Sequence, residues 1–184
     1  MKVTPTAIPE VLLIEPRGFE DARGAFVETW QLERYREAVT PLAFVQDNVS
    51  VSRRGVVRGL HFQHPHGQGK LIGVLAGAAW DVAVDVRRGS PTFGRWVAEE
   101  LTEANRRQLW IPAGFAHGFE ALSDGVVFHY KCTDTYHPEC ERTVLWSDPA
   151  LAIPWPLGAA VVAPKDAAAP SLADLPPEHH PSYR

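Results

Sequence analysis

Between Phe44 and Thr133 the chain is a succession of short apolar runs, each cut after a few residues by Gly, Pro or Arg, and this punctuation leaves almost no room for helices. The runs cover residues 44–52, 56–63, 71–76, 79–86, 96–101, 108–111, 118–122 and 126–133, with breaks at Arg53-Arg54-Gly55, Gly77, Arg88-Gly89-Ser90-Pro91 and Ser123-Asp124-Gly125. Short runs rich in branched and aromatic residues and bounded by turn formers are strand signatures; many of them in series, joined by tight loops, predict an all-β sandwich or barrel. Ahead of them, residues 8–15 read as a strand, and Asp21-Ala22-Arg23-Gly24 as a turn into a second strand through Phe26, Val27 and Trp30. Leu32, Tyr35, Arg36 and Val39 recur at the spacing of one short helix.

At 184 residues, 45% of them hydrophobic, the chain can bury one good core but not two of ordinary size. One domain spanning residues 1–184 is expected, with an exposed Pro-rich tail from about Pro176 to Arg184. No basic segment followed by an apolar run opens the chain, and no stretch reaches the roughly 18 apolar residues of a membrane span, so a soluble, cytoplasmic protein is expected. Cys132 and Cys140 are too few for a disulfide framework or a structural zinc site and are read as reduced thiols. A formal charge of −4 argues against general nucleic-acid affinity. Within that acidic chain, Arg53, Arg54, Arg58 and Lys70 form a basic patch, which suits a small anionic ligand better than a polymer.

The densest chemistry lies in Arg58-Gly59-Leu60-His61-Phe62-Gln63-His64-Pro65-His66-Gly67-Gln68-Gly69-Lys70. Imidazole is the side chain that takes and returns a proton near neutral pH, which makes His61 a candidate base. Arg58 and Lys70 supply fixed positive charge for a phosphate, or for the oxyanion that forms when a proton leaves a carbon beside a carbonyl. Strict alternation puts His61 and Gln63 on one face of their strand and Arg58, Leu60 and Phe62 on the other, unless Gly59 hosts a bulge. Asp81 and Asp85, which share a strand face, compete with any more distant carboxylate as the partner of His61.

Ile111-Pro112-Ala113-Gly114-Phe115-Ala116-His117-Gly118-Phe119 has the Pro-x-Gly-x-x-His spacing of the second cupin motif, and His64-x-His66 sits where the first begins. The chain therefore resembles a cupin, a small antiparallel jelly roll. Metal-binding cupins carry a glutamate shortly after the His-x-His pair; here Lys70 and Leu71 stand there, and an ammonium repels a divalent cation. No metal is expected. With Arg-Gly-Leu-His-Phe-Gln, Gln-Gly-Lys-Leu, Asp-Val-Ala-Val-Asp-Val-Arg, Ser-Pro-Thr-Phe-Gly, Leu-Trp-Ile-Pro-x-Gly-Phe-Ala-His-Gly-Phe and Tyr-Lys-Cys-Thr-Asp-x-Tyr in this order, the chain more specifically resembles the dTDP-4-dehydrorhamnose 3,5-epimerase family, from about residue 5 to about residue 172.

The resemblance implies a cofactor-free dimer that inverts C3 and C5 of a dTDP-4-keto-6-deoxyhexose. It makes His61 the proton acceptor, Asp166 the carboxylate paired with it, Tyr130 the proton donor, and Lys70 a contact near the sugar carbonyl and diphosphate. It makes His117 a substrate-binding histidine and Arg58 the diphosphate ligand, with Gln46 and Asn48 lining the same pocket. Tyr136 matches an aromatic that stacks on thymine, and Glu141 and Lys165 match further binding positions. Arg23, Phe26 and Glu28 resemble an arm that reaches the nucleotide of the neighbouring subunit. Three alternatives remain: an epimerase acting at C3 or C5 alone, a sugar-nucleotide-binding cupin without catalysis, and a metal-dependent cupin isomerase or dioxygenase. The first keeps the same acid and base, and the other two fit the residues less well.

Overall fold

In a computed structural model, which describes residues 1–158 and 161–183, the chain is built almost wholly of antiparallel strands. The first half comprises β1 (Lys2–Pro5), β2 (Leu12–Glu15), β3 (Gly18–Asp21), β4 (Gly24–Val27), α1 (Leu32–Ala38), β5 (Gln46–Ser52), β6 (Val56–Gln63), β7 (Lys70–Ala76) and β8 (Ala78–Asp85). The second comprises β9 (Trp96–Thr102), β10 (Gln108–Ile111), β11 (Phe115–Ala121), β12 (Val126–Cys132), β13 (Glu141–Thr143), β14 (Val161–Val162) and α2 (Pro164–Ala167). One sheet runs in the order β1-β2-β10-β7-β12-β5; the other runs β13-β6-β11-β8-β9, with β14 joining β6 in parallel; β3 and β4 form a separate ribbon. This is the jelly-roll sandwich that the punctuated runs predict.

Alternation along each strand explains the layers. Ile72 and Val74 of β7, Leu109 and Ile111 of β10, and Val126 and Phe128 of β12 pack inward against Ala79 and Ala83 of β8, Val97 and Leu101 of β9, and Phe115, Phe119 and Ala121 of β11. Phe119 and Phe128 stack across the sandwich with ring centroids 3.9 Å apart. The outer faces are covered too. Leu60, Phe62, Val82 and Val84 of the second sheet lie under Val144, Leu151, Leu172 and Leu175 from the C-terminal segment. Tyr35 of α1 packs with Trp110, Leu71 and Ile14 on the outside of the first sheet, and its hydroxyl donates to Gln108 Oε1 at 2.7 Å. β11, covered on both faces, is buried along its whole length.

Several expectations need correction. Residues 8–15 are a strand only from Leu12; Ile8 and Val11 sit in the core from a turn closed by the Val11 N–H donating to Ile8 C=O at 2.9 Å. β11 starts three residues before the predicted run, because the Phe115-Ala116-His117 segment that belongs to a site motif is also ladder-paired with β8. The expected tail keeps Pro177, Glu178, Ser182 and Tyr183 exposed but is docked through its backbone. Arg88 N–H donates to Pro181 C=O at 2.7 Å and Tyr183 N–H to Arg88 C=O at 3.0 Å, and the Arg87 guanidinium lies 4.9 Å from the Tyr183 ring centroid. The last residue of that tail, Arg184, lies outside the described residues. Prolines hid this contact from the sequence because they break periodicity without preventing extended chain from packing.

Gly59 decides which side chains of β6 reach the interior. His117 of β11 pairs with His61 and Phe119 with Arg58, so three steps on β6 oppose two on β11. The extra residue reverses the alternation: Arg58 faces inward before it, His61 and Gln63 after it, and Leu60 and Phe62 turn to the outer face. Gly59 has φ +125°, and a Cβ there would lie 2.6 Å from Gly118 Cα and 2.7 Å from His117 O. Gly59→Ala should therefore cost about 3 kcal/mol of stability, read as a lower urea midpoint at unchanged slope. An unshifted midpoint would contradict this reading of the bulge.

Candidate active site

A cavity of about 610 Å³ opens between the two sheets. The second sheet contributes Arg58 and His61 from β6 and His117 from β11; the first contributes Gln46 and Asn48 from β5, Lys70 from β7 and Tyr130 from β12. Tyr136, Glu141 of β13, and Lys165 and Asp166 of α2 close its rim. Residues spread over more than a hundred positions of sequence thus meet on one wall or the other.

The choice between carboxylates for His61 is settled by geometry. Its Nε2 lies 2.7 Å from Asp166 Oδ1, and Asp166 Oδ2 accepts from Gly59 N–H at 3.3 Å. Asp166 is presented from the first turn of α2, which Pro164 opens, and is buried. Burial would raise its pKa, but the hydrogen bond and charge of His61, helped by Gly59 N–H and Lys165, hold the carboxyl below its usual value. Because the folded pKa lies below the unfolded value near 4, the contribution of this carboxylate to stability is present above about pH 4 and lost as pH falls through the folded value. The gap in melting temperature between wild type and Asp166→Asn should hold from neutrality to about pH 4 and close below it; a gap that widens on acidification would contradict this.

Asp81 and Asp85, the rival partners, are occupied elsewhere. Asp81 Oδ1 lies 2.7 Å from His117 Nε2, making a second, buried dyad whose imidazole lines the cavity. Burial lowers the His117 pKa and raises that of Asp81, each against the pull of the other. Asp85 accepts from Arg87 Nε at 2.9 Å and from the hydroxyls of Ser90 and Thr92, so it anchors a loop away from the cavity.

Lys70 is nine-tenths buried and its Nζ donates to His61 C=O at 3.4 Å; burial lowers its pKa, partly countered by Cys132, Asp81 and Glu141. Burial likewise raises the Tyr130 pKa, so its phenol keeps its proton at neutral pH. Glu141 is bound to Lys165 Nζ at 2.9 Å and accepts from the Tyr136 hydroxyl at 3.2 Å, while Tyr136 N–H donates to Gln46 Oε1 at 2.8 Å. Gln46 Nε2 in turn donates to Asn48 Oδ1 at 3.1 Å. Both carboxylates that line the cavity are spoken for, Asp166 by His61 and Glu141 by Lys165, and Asp81 behind them is held by His117. Among the described residues Arg58 and Lys70 form no salt bridge, so the cavity has cations to spare for an anion.

Arg23, Phe26 and Glu28 do not line this chain's cavity: Arg23 pairs with Asp21, Glu28 with Arg34, and Phe26 is 72% exposed on the β3–β4 ribbon. His64 and His66 are also outside it, on the loop after β6, so the histidines of this cavity are His61 and His117 rather than the His-x-His pair. Sequence reasoning overlooked Gln63 as a structural member of the site. Its Nε2 donates to His66 C=O at 2.7 Å and Thr135 C=O at 3.1 Å, and its Oε1 accepts from His137 N–H at 2.8 Å, which fixes the loop carrying Tyr136. A polar residue sharing a face with His61 was the available signal.

An imidazole on one sheet, half-buried and held by the buried carboxylate of α2, a protonated phenol on the other sheet and cations between them without a salt bridge among the described residues define a proton-transfer enzyme of the jelly-roll class with an anionic substrate. The profile of the dTDP-4-dehydrorhamnose 3,5-epimerase family matches residues 5–174. A protein of that name from Pseudomonas aeruginosa is 53% identical over 95% of this chain and 97% of its own length. The crystal structure of a dTDP-6-deoxy-D-glucose-3,5-epimerase from Legionella pneumophila, in complex with dTDP-4-keto-L-rhamnose, superposes with a TM-score of 0.97 at 52% identity, covering 100% of this chain and 98% of that one. A dTDP-4-dehydrorhamnose 3-epimerase from Streptomyces niveus is 42% identical over 95% of this chain and 85% of its own. The chain belongs to the dTDP-4-dehydrorhamnose 3,5-epimerase family, whose members are isomerases.

Proposed function

We propose that the protein converts dTDP-4-dehydro-6-deoxy-D-glucose to dTDP-4-dehydro-L-rhamnose by inverting C3 and C5. The observation that carries this is the placement of His61 and Tyr130 on opposite sheets of one cavity: inversion needs a base on one face of the sugar and an acid on the other. The C4 ketone acidifies the hydrogen on each neighbouring carbon. His61, oriented by Asp166, removes a proton; Lys70 stabilises the enolate oxygen; Tyr130 returns a proton from the far face. A proton leaves and a proton arrives, so the step balances without a cofactor. His117, held by Asp81, contacts the sugar, and Arg58 binds the diphosphate in the bidentate manner suited to guanidinium. Gln46, Asn48, Tyr136, Glu141 and Lys165 form the nucleotide end, with Tyr136 stacking on the base.

Residues 1–184 act as one domain in this reading, and the working unit is a two-fold dimer. Phe19 and Phe26 stand exposed on the β3–β4 ribbon, and Val49 and Val51 are exposed on β5, the edge strand of the first sheet. Apolar side chains in those places suit a partner surface, from which Arg23, Phe26 and Glu28 would reach the other subunit's nucleotide. Sedimentation velocity should give twice the chain mass. Among the described residues no helix is long and apolar enough to cross a membrane; the cytoplasm is the place of action in this reading because the substrate is a sugar nucleotide.

The Streptomyces niveus relative motivates a second reading, inversion at C3 alone, although the higher identity to 3,5-epimerases favours double inversion. Proton NMR of dTDP-4-dehydro-6-deoxy-D-glucose with the enzyme in deuterated water, followed by reduction of the C4 ketone, separates them. Loss of both the C3 and C5 signals with an L-configured product is expected. Exchange at C3 alone would move the protein to the single-position branch, and exchange at neither would leave it a binding protein.

A further inference from the structure

We propose that His66, Asp134 and His137 form a binding site for a borderline divalent transition-metal ion, Zn²⁺ being the natural probe, on the rim outside the catalytic cavity. One ligand atom from each residue lies within 4.8 Å of the others. His66 Nδ1 is 3.5 Å from Asp134 Oδ2, and His137 Nε2 is 3.8 Å from Asp134 Oδ1. Ligands around a tetrahedral zinc ion with bonds of about 2.0 Å stand roughly 3.3 Å apart, so small side-chain rotations close the set and leave a position for water. The imidazole rings stack at 4.2 Å between centroids with their planes 19° apart, both directed at the same carboxylate.

Two further features prepare this cluster. The His137 Nδ1 lies 3.5 Å from Glu139 Oε1, the outer carboxylate that orients a metal-bound imidazole and leaves Nε2 for the ion. The backbone is already fixed on both sides: Gln63 binds His66 C=O and Thr135 C=O, and Gln68 Nε2 donates to Asp134 C=O at 2.9 Å. Thr135 Oγ1, 3.2 Å from His137 Nε2, gives up that contact when the ion enters. Two nitrogen ligands and one carboxylate select zinc, nickel or cobalt over calcium or magnesium, which take oxygen.

The site joins the β6–β7 loop to the β12–β13 loop, and Tyr136 lies between Asp134 and His137 with its side chain in the cavity wall. An ion here fixes that wall without entering the cavity, because none of the three ligands lines it. It is thus separate from any metal role in catalysis.

Tag-free protein stripped with EDTA and titrated calorimetrically with zinc chloride near neutral pH tests the proposal. One equivalent should bind in the micromolar range and raise the melting temperature. His137→Ala, and His66→Gly, which accommodates the φ of 62° at that position, should each weaken binding at least about tenfold. His179→Ala, which alters the neighbouring C-terminal histidine pair, should leave it unchanged. Absence of saturable binding below millimolar zinc, survival of full affinity in both ligand variants, or loss of binding in His179→Ala would each overturn the assignment.

Discussion

His61→Ala should lower deuterium exchange into the substrate at both C3 and C5 by about 10³-fold, with dTDP affinity changed by less than about threefold. The His61 Nε2 is engaged by Asp166 Oδ1 at 2.7 Å, and a neutral imidazole that donates through Nε2 presents its Nδ1 lone pair to the cavity. The other imidazole lining the cavity among the described residues, His117, is buried and bound to Asp81. Removing the ring also leaves the buried Asp166 with Gly59 N–H as its remaining hydrogen-bond donor among the described residues, so a stability loss accompanies the catalytic one. His61→Asn retains a side-chain donor for that carboxylate without a base, and it should recover stability but not exchange. Near-wild-type exchange in either variant would remove His61 from the mechanism. Loss of dTDP binding in parallel with exchange would assign the residue a structural role instead.

The sandwich was legible because its signal is local: apolar runs of strand length, cut by Gly-containing turns, mark β6 and β10 at their observed ends and the other central strands to within a few residues. The motifs were legible for a different reason. Their polar residues sit in runs whose neighbours are core, so Arg58, His61, His117 and Tyr130 stand out against the strands that carry them. Pairing was not local. Asp166 lies 105 positions from His61 and comes from a single helical turn after a Pro- and Ala-rich stretch, and residue spacing alone could not rank it above Asp81 or Asp85.

The register of β6 was left open. Alternation separates Arg58 from His61, and Gly59 marked where a bulge could return them to one face, but the close approach of Gly59 to Gly118 that decides it lies with another strand. The docked C-terminal end and the outward position of His64 and His66 have the same origin. In each case the deciding contact is with a strand or loop far along the chain, so residue type sets what a segment can do and tertiary pairing sets what it does.

Tyr130→Phe should separate the two halves of the reaction. β12, which bears Tyr130, belongs to the sheet facing the one that carries His61, so a sugar held between them meets the base on one face and the phenol on the other. Burial raises the phenol pKa, and it therefore enters the reaction with its proton in place. Without the hydroxyl, His61 still removes a proton, and after exchange with solvent it can return a deuteron only to the face from which the proton came. The expected result is product formation reduced by about 10²- to 10⁴-fold, with deuterium still entering the substrate under retained configuration. The ring of Phe fills the same volume beside Phe128, so folding and dTDP affinity should be close to wild type. Product formed at the wild-type rate would show that water or another side chain is the acid. Exchange lost together with product would place Tyr130 in the first proton transfer rather than the second.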